Sequence, residues 1–102
     1  MGRNRLELQT LLEDVLGSSN VYFQPPPSLQ MIYPCIVYQR EAMDVKFAND
    51  STYLNKQRYS ITVIARDPDN EIPLKVAQLR YCLYDRFYVA DNLNHDVFTL
   101  YF

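Results

Sequence analysis

The stretch "TYLNKQRYSITVIARDPDNEIPLKVAQLRYC", residues 52–82, changes its hydrophobic period once, and that change indicates the fold. In its first half the apolar side chains alternate, as expected of a strand over 52–67 with one face toward a core. The predicted core face holds Tyr59, Ile61, Val63 and Ala65. The opposite face is polar except at Ile64, which interrupts it.

The second half of this stretch predicts a turn and then a short helix. Asp67-Pro68-Asp69-Asn70 is typical turn chemistry, since Asx side chains bond to nearby backbone groups and proline fixes one dihedral angle. Pro73 suits the first turn of a helix, where its missing N–H costs least. The predicted apolar stripe consists of Ile72, Val76, Leu79 and Leu83.

Upstream, residues 4–16 predict a first helix. Asn4 is a candidate N-cap, Glu7 stands three residues later as in a capping box, and Gly17 provides a left-handed stop. Helical spacing places five apolar residues on one stripe, namely Leu8, Leu11, Leu12, Val15 and Leu16. We expect this helix to lie on a sheet with its other face in water.

Residues 18–34 predict a proline-rich extended arm. Pro25, Pro26 and Pro27 cannot donate to a sheet and favour a polyproline path. Val21, Tyr22 and Phe23 are expected to pair briefly or to pack on a neighbour. A PxxP-type ligand is the less favoured interpretation of this segment.

Period-two alternation predicts further strands over 35–41, 44–50, 87–91 and 96–102. The predicted order is α-β-β-β-α-β-β, a single α+β domain over residues 1–102. It consists of two helices packed on a mostly antiparallel sheet of about four to five strands. The predicted core includes Leu12, Val15, Ile61, Val63, Val76 and Leu79.

Composition and charge exclude several classes of function. The chain has 10 basic and 12 acidic residues, a net charge of -2, and no cluster of Lys and Arg that would hold nucleic acid electrostatically. No apolar run is long enough to span a membrane, and the N-terminus lacks a hydrophobic signal region. Cys35 and Cys82 lie in apolar runs, so we expect buried free thiols, with a disulfide as the alternative.

The one histidine lies in "DNLNHD", residues 91–96. A catalytic or metal-binding group of Asp91, His95 and Asp96 is one hypothesis, but a metal site would need further His or Cys ligands. Asn and Asp residues are typical of hairpin connections, so a turn is the favoured interpretation. We therefore expect no catalytic residue, no metal ligand and no cofactor.

The end of the chain, "HDVFTLYF", predicts a surface for subunit contact. The strand has apolar side chains on both faces, and one set would lie in water if helices covered only the other face. An unprotected strand edge is also a template for pairing with another chain. We expect head-to-tail contact between copies, with an interface formed by Phe98, Leu100, Tyr101 and Phe102, together with Tyr22 and Phe23.

Three stretches carry a resemblance to a known family. "YPCIVYQRE", "YSITVIARDPDNEIPLKVAQL" and "DRFYVADNLNHDVFTLYF" resemble the tail-terminator, or tail-completion, proteins of long-tailed bacteriophages. The resemblance covers nearly the whole chain and consists in the order of the elements and in the general character of the sequence. It transfers no functional residue, because the family has no catalytic fingerprint.

The resemblance implies a structural virion protein. Such proteins form a hexameric ring on the head-proximal end of the tail tube, end tube polymerisation and provide the surface for head-tail joining. The implied partners are the major tail tube protein and a head-completion or neck protein, with phage DNA crossing the lumen without sequence-specific binding and no membrane contact. Assembly would take place in the host cytoplasm. The alternatives are a head-closure or neck connector protein and, less favoured, a small hydrolase or a binding module.

Overall fold

The computed structural model describes residues 5–41 and 57–102, which form two helices and a five-stranded sheet. In chain order the elements are α1 (Arg5–Leu16), β1 (Val21–Phe23), β2 (Cys35–Arg40), β3 (Arg58–Ala65), α2 (Ile72–Ala77), β4 (Cys82–Ala90) and β5 (Leu93–Tyr101). Asn4, the strand predicted over 44–50 and the beginning of the strand predicted over 52–67 lie outside the described residues.

Among the described residues the sheet order is β1-β2-β3-β5-β4, so β1 and β4 are the two edges of this part of the sheet. β1 pairs with β2 in parallel, whereas the other three pairings are antiparallel. The predicted α+β class and the order α-β-β-β-α-β-β are confirmed, with the short strand at Val21–Phe23 as the first strand.

Helix α1 follows its sequence pattern. Leu8 and Leu12 are fully buried, and Val15 and Leu16 pack against the same cluster at the margin. Gly17 adopts a φ of 82°, a left-handed conformation that costs glycine no Cβ clash, and its N–H donates to Glu13 O at 2.8 Å. The predicted helix stop at Gly17 is confirmed.

Helix α2 is shorter than its sequence stripe suggests. The predicted turn is present, since Asp67 Oδ1 accepts from the Asp69 N–H at 2.9 Å and Asn70 Oδ1 accepts from the Ile72 N–H at 3.1 Å. The helix ends at Ala77, and Tyr81, at a φ of 62°, leads the chain into β4. The prediction that Leu83 belongs to the helical stripe is therefore wrong: Leu83 is a residue of β4 and is mostly exposed.

A two-residue turn connects β4 and β5. Asp91 and Asn92 have φ values of 54° and 62°, the two successive left-handed residues of a type I′ hairpin. Because this turn is so tight, Ala90 pairs directly with Leu93 and both strands are longer than predicted. The turn is shorter than "DNLNHD": Leu93 and His95 are strand residues of β5, as Asp96 was predicted to be. Asp91, predicted as the end of a strand, lies in the turn instead.

The sheet buries apolar side chains on both faces. On the face that we call the helix face, the sheet residues pack with α1 and α2 in one cluster: Ile36, Tyr38, Tyr59, Ile61, Val63, Phe98 and Leu100. On the other, which we call the arm face, Cys35, Ile64 and Leu93 cluster with Met31 and Tyr33 from residues 24–34. Ile64 thus interrupts the polar pattern of its strand because the arm provides a second small core. Of the predicted core residues, Leu12, Ile61, Val63 and Val76 are buried, and Val15 and Leu79 pack at the margin.

Helix α1 offers a matched pair of substitutions that tests this packing. Leu12→Ala is expected to lower the free energy of unfolding by about 2–5 kcal/mol, because it leaves a cavity at a fully buried position. Leu6→Ala removes the same atoms from a side chain that is 65% exposed, and should change stability by less than about 0.5 kcal/mol. Urea unfolding followed by circular dichroism measures both. Equal losses in the two variants would contradict the assigned helix face.

Candidate functional site

The terminal strand, predicted to expose an apolar face, is inside the subunit. Phe98 and Leu100 are each 1% exposed, Phe102 is 5% exposed and Tyr101 is 7% exposed. Strand β5 lies between β3 and β4, so both of its hydrogen-bonding edges are occupied. The expectation that this strand provides an open edge and an exposed apolar face is therefore wrong. Phe98, Leu100, Tyr101 and Phe102 are buried within the subunit, and their role in contact between copies stays a prediction.

Most of the large apolar side chains that are exposed in the described part of the chain lie instead on β4, the edge strand next to β5. Five of its side chains are 40–59% exposed: Leu83, Tyr84, Phe87, Tyr88 and Val89. Tyr84, Phe87 and Val89 lie on the helix face and Leu83 and Tyr88 on the arm face, as their pairing with β5 shows. A strand with large apolar side chains in water on both faces is unusual and typical of a contact surface.

A β-bulge divides β4 into two parts. Tyr84 pairs with Phe98 and Arg86 with Val97, so Asp85 is the extra residue. Arg86 Nη1 lies 2.7 Å from Asp85 Oδ2, so the two side chains form an ion pair, and both are exposed. A bulge and charged side chains are devices that protect a strand edge from pairing. Residues 86–90 beyond the bulge are regular and contain neither Lys nor Pro.

The opposite edge of the sheet is β1, which includes the predicted contact residues Tyr22 and Phe23. Both are half-buried, and they lie on different faces of the sheet. The Arg5 guanidinium lies over the Phe23 ring at 4.4 Å, while Tyr22 Oη accepts from the Ile32 N–H at 3.2 Å. The predicted interface residues are thus split: two lie at this edge and four lie in the interior.

A polar network connects α1 to this edge. The Tyr38 hydroxyl donates to Gln9 Oε1 at 2.6 Å, and Gln9 Nε2 donates to Val21 O at 3.0 Å. Burial raises the pKa of Tyr38, with Arg5 acting in the opposite direction. Because Gln9 satisfies a hydroxyl in the core and a carbonyl of β1, the network fixes the helix over the edge strand.

The catalytic hypothesis for Asp91, His95 and Asp96 does not find a converging site. His95 lies on the arm face, where its ring stacks on Tyr88 at 4.5 Å and its Nδ1 lies 3.0 Å from Leu93 O. Asp96 lies on the opposite face and accepts from the Tyr84 hydroxyl at 3.3 Å. Among residues 5–41 and 57–102, no group of His, Cys, Asp and Glu is arranged to hold a metal ion.

The two cysteines are free thiols, as predicted. Cys35 is buried on the arm face and Cys82 is half-buried on the helix face. Burial raises the pKa of each thiol from 9.0 to about 11.

In the part of the chain that the structure describes, no helix is long and apolar enough to cross a bilayer.

The sequence contains a signal for the β4 surface. "LYDRFYVA", residues 83–90, has large apolar side chains at both parities. The same is true of the terminal strand, so pattern alone does not tell which of the two is the edge. Only the sheet order assigns the open edge to β4.

His95→Ala tests the assignment of His95 to a structural place in β5 and the expectation that it has no catalytic or metal-binding role. The variant loses the stack on Tyr88, and the free energy of unfolding should fall by about 0–2 kcal/mol, as for most changes away from the core. Chemical denaturation measures the change, and elemental analysis of both proteins measures bound metal. Stoichiometric metal that is present in the parent protein and lost in the variant would contradict the assignment.

The thiols should react slowly while the protein is folded. A pKa of about 11 in place of 9.0 reduces the thiolate fraction at pH 8 by about 100-fold, and only the thiolate reacts. Labelling with a chromogenic disulfide reagent should therefore be at least that much slower in buffer than in denaturant. The raised pKa also means that folding stability decreases as pH rises from about 9 through 11, because the unfolded thiols lose their protons first. Fast labelling of both cysteines in buffer would contradict their burial.

Comparison with known proteins adds no relative to this geometry. No protein-family model matches the chain, and comparisons with curated proteins and with solved structures give no match either. Among the described residues, β4 has more exposed large apolar side chains than any other element.

Proposed function

We propose that this protein is a structural virion subunit of the tail-terminator kind. Copies of it would form a ring at the head-proximal end of a bacteriophage tail tube, where the ring ends tube polymerisation and provides the joining surface for the head. The proposal rests on the resemblance of the three quoted stretches to that family. The observation that carries it further is the open edge of β4, with five large apolar side chains in water.

An apolar sheet edge supports an assembling role for a physical reason. The free energy falls when another chain pairs with unpaired backbone groups and covers exposed aromatic side chains. The two edges of this sheet are formed by different strands, so a contact that joins β4 of one copy to β1 of the next is heterologous. A heterologous contact closes into a ring when its rotation divides the circle. Six copies is the number that the family resemblance implies.

The charge of the chain suits a ring that DNA crosses. Its net charge of -2, with acidic and basic residues interspersed, does not provide the cationic track that would hold phosphates. DNA would pass through such a lumen without sequence-specific contacts. The protein partners would be the tail tube protein on one side and a head-completion or neck protein on the other.

Deleting the gene from the phage that encodes it tests this function. A tail terminator ends tube growth, so its loss should give tubes longer than normal that are not joined to heads. Electron microscopy of lysates measures tube length and joining, and a plasmid copy of the gene should restore both. Tubes of normal length that fail to join heads would indicate a head-closure or neck protein instead. Normal, fully joined particles would contradict any structural role in the tail.

A further inference from the structure

The two edges of the sheet run in opposite directions. β1 is parallel to β2, and three antiparallel steps then lead through β3 and β5 to β4. If a second copy continues the sheet with its helices on the same side and its strands in the same orientation, its β1 lies antiparallel to β4 of the first copy. Antiparallel pairing is the more stable arrangement.

In each edge strand, alternate residues direct their backbone N–H and C=O groups away from the sheet, and the two edges match in this alternation. In β1, the Asn20 carbonyl and the Gln24 N–H bond to β2, so by alternation Val21 and Phe23 direct their backbone groups outward. In β4, Ala90 is the residue before the two-residue turn and bonds to β5, as do Tyr88 and Arg86 at the same parity. Phe87 and Val89 therefore direct their backbone groups outward.

The faces of the sheet restrict the register further. Val21 and Phe23 lie on the helix face and Tyr22 on the arm face, and in the same way Phe87 and Val89 lie on the helix face and Tyr88 on the arm face. β1 has three residues, and within the regular segment 86–90 its partner residues have to agree with it both in the direction of the backbone groups and in the face of the side chains. One register does so: Phe23 opposite Phe87, Tyr22 opposite Tyr88, and Val21 opposite Val89.

We infer that β4 of one copy pairs with β1 of the next in this register and continues the sheet across the contact. Each pair is chemically favourable, because aromatic residues oppose aromatic residues and valine opposes valine. Arg86 would lie opposite Gln24 and Ala90 opposite Asn20, so no like charges meet. The partner of the β4 edge is thus a second copy of this chain.

The pair Phe23–Phe87 supplies the main-chain hydrogen bonds of this contact. The Val21 N–H already donates to Ser19 O at 2.8 Å, and Val21 O accepts from Gln9 Nε2 at 3.0 Å. Val21 therefore contributes mainly its side chain, next to Val89. Tyr22 and Tyr88 form the non-hydrogen-bonded pair, whose side chains approach each other most closely.

This contact rests on the proposed function only in that copies of the chain meet, and its test needs neither phage nor tail. Single variants Tyr22→Cys and Tyr88→Cys are prepared in a Cys35→Ala background, because Cys35 shares a cluster with Tyr22. The two proteins are mixed at high concentration and oxidised. A disulfide between residues 22 and 88 of different copies is expected to form with about tenfold the yield of control pairs, because a bridge requires Cα atoms within roughly 7 Å.

The controls fix the register. Tyr22→Cys mixed with Phe87→Cys places the thiols on opposite faces, and Tyr22→Cys mixed with Ala90→Cys moves the second thiol two residues along the same face. Equal yields in all three mixtures, or no disulfide in any of them, would overturn the inference. A Tyr88→Cys protein that dimerises efficiently with itself would show that two β4 edges meet, and would overturn it as well.

A pair of charge substitutions distinguishes pairing at the strand edge from nonspecific association. Phe87→Lys lies within the register and should abolish the 22–88 disulfide, since a lysine on an edge strand opposes pairing. Leu83→Lys lies on the same strand at similar exposure, outside the register, and should leave the disulfide unchanged. Equal loss in both would contradict the inference. If the disulfide forms but phage assembly is normal after gene deletion, the pairing between copies stands and the proposed tail function is contradicted. If the disulfide does not form but gene deletion gives long, unjoined tubes, the tail function stands and the pairing is contradicted.

Discussion

The structure depends on the position of β5 at the inside of the sheet. This strand is hydrogen-bonded to β3 along one edge and to β4 along the other, and Phe98 and Leu100 fill the core beneath the helices. Because its backbone groups are all directed to neighbouring strands, it can carry apolar side chains on both faces without becoming a template for aggregation. The same arrangement moves β4 to the outside, where only one edge of that strand is paired.

The other end of the sheet is held by side chains rather than by strand length. β1 has three residues and would contribute little by itself. Gln9 connects it to α1 and to the Tyr38 hydroxyl, and the Phe23 ring contacts Tyr38 at a centroid distance of 5.0 Å. The short edge strand is therefore fixed before any partner arrives, so a partner strand would lose little ordering entropy in β1 on binding.

The sequence predicts the parts of this fold that depend on local rules. Leu8 and Leu12 follow helical spacing, Gly17 follows the left-handed stop, and Ile61 and Val63 follow strand alternation, and all of them lie where those rules place them. The sheet order depends on long-range pairing, which no local pattern records. For that reason the apolar pattern of the terminal strand predicts an exposed surface, whereas in the structure Phe98 is buried in the core and Phe87 on β4 is exposed. The length of β5 was also underestimated, because "DN" alone makes the turn.

The division of β4 by its bulge restricts what can pair with the open edge. On one side of Arg86 the extra residue Asp85 and its ion pair interrupt the regular edge, and on the other side the type I′ turn ends the strand. The open part is therefore a short apolar segment of fixed register. A long apolar edge would accept many strands in many registers and would favour open-ended aggregation. An opening this short accepts a strand about as long as β1 in very few registers, whereas the number of copies that such contacts join depends on the rotation between neighbours.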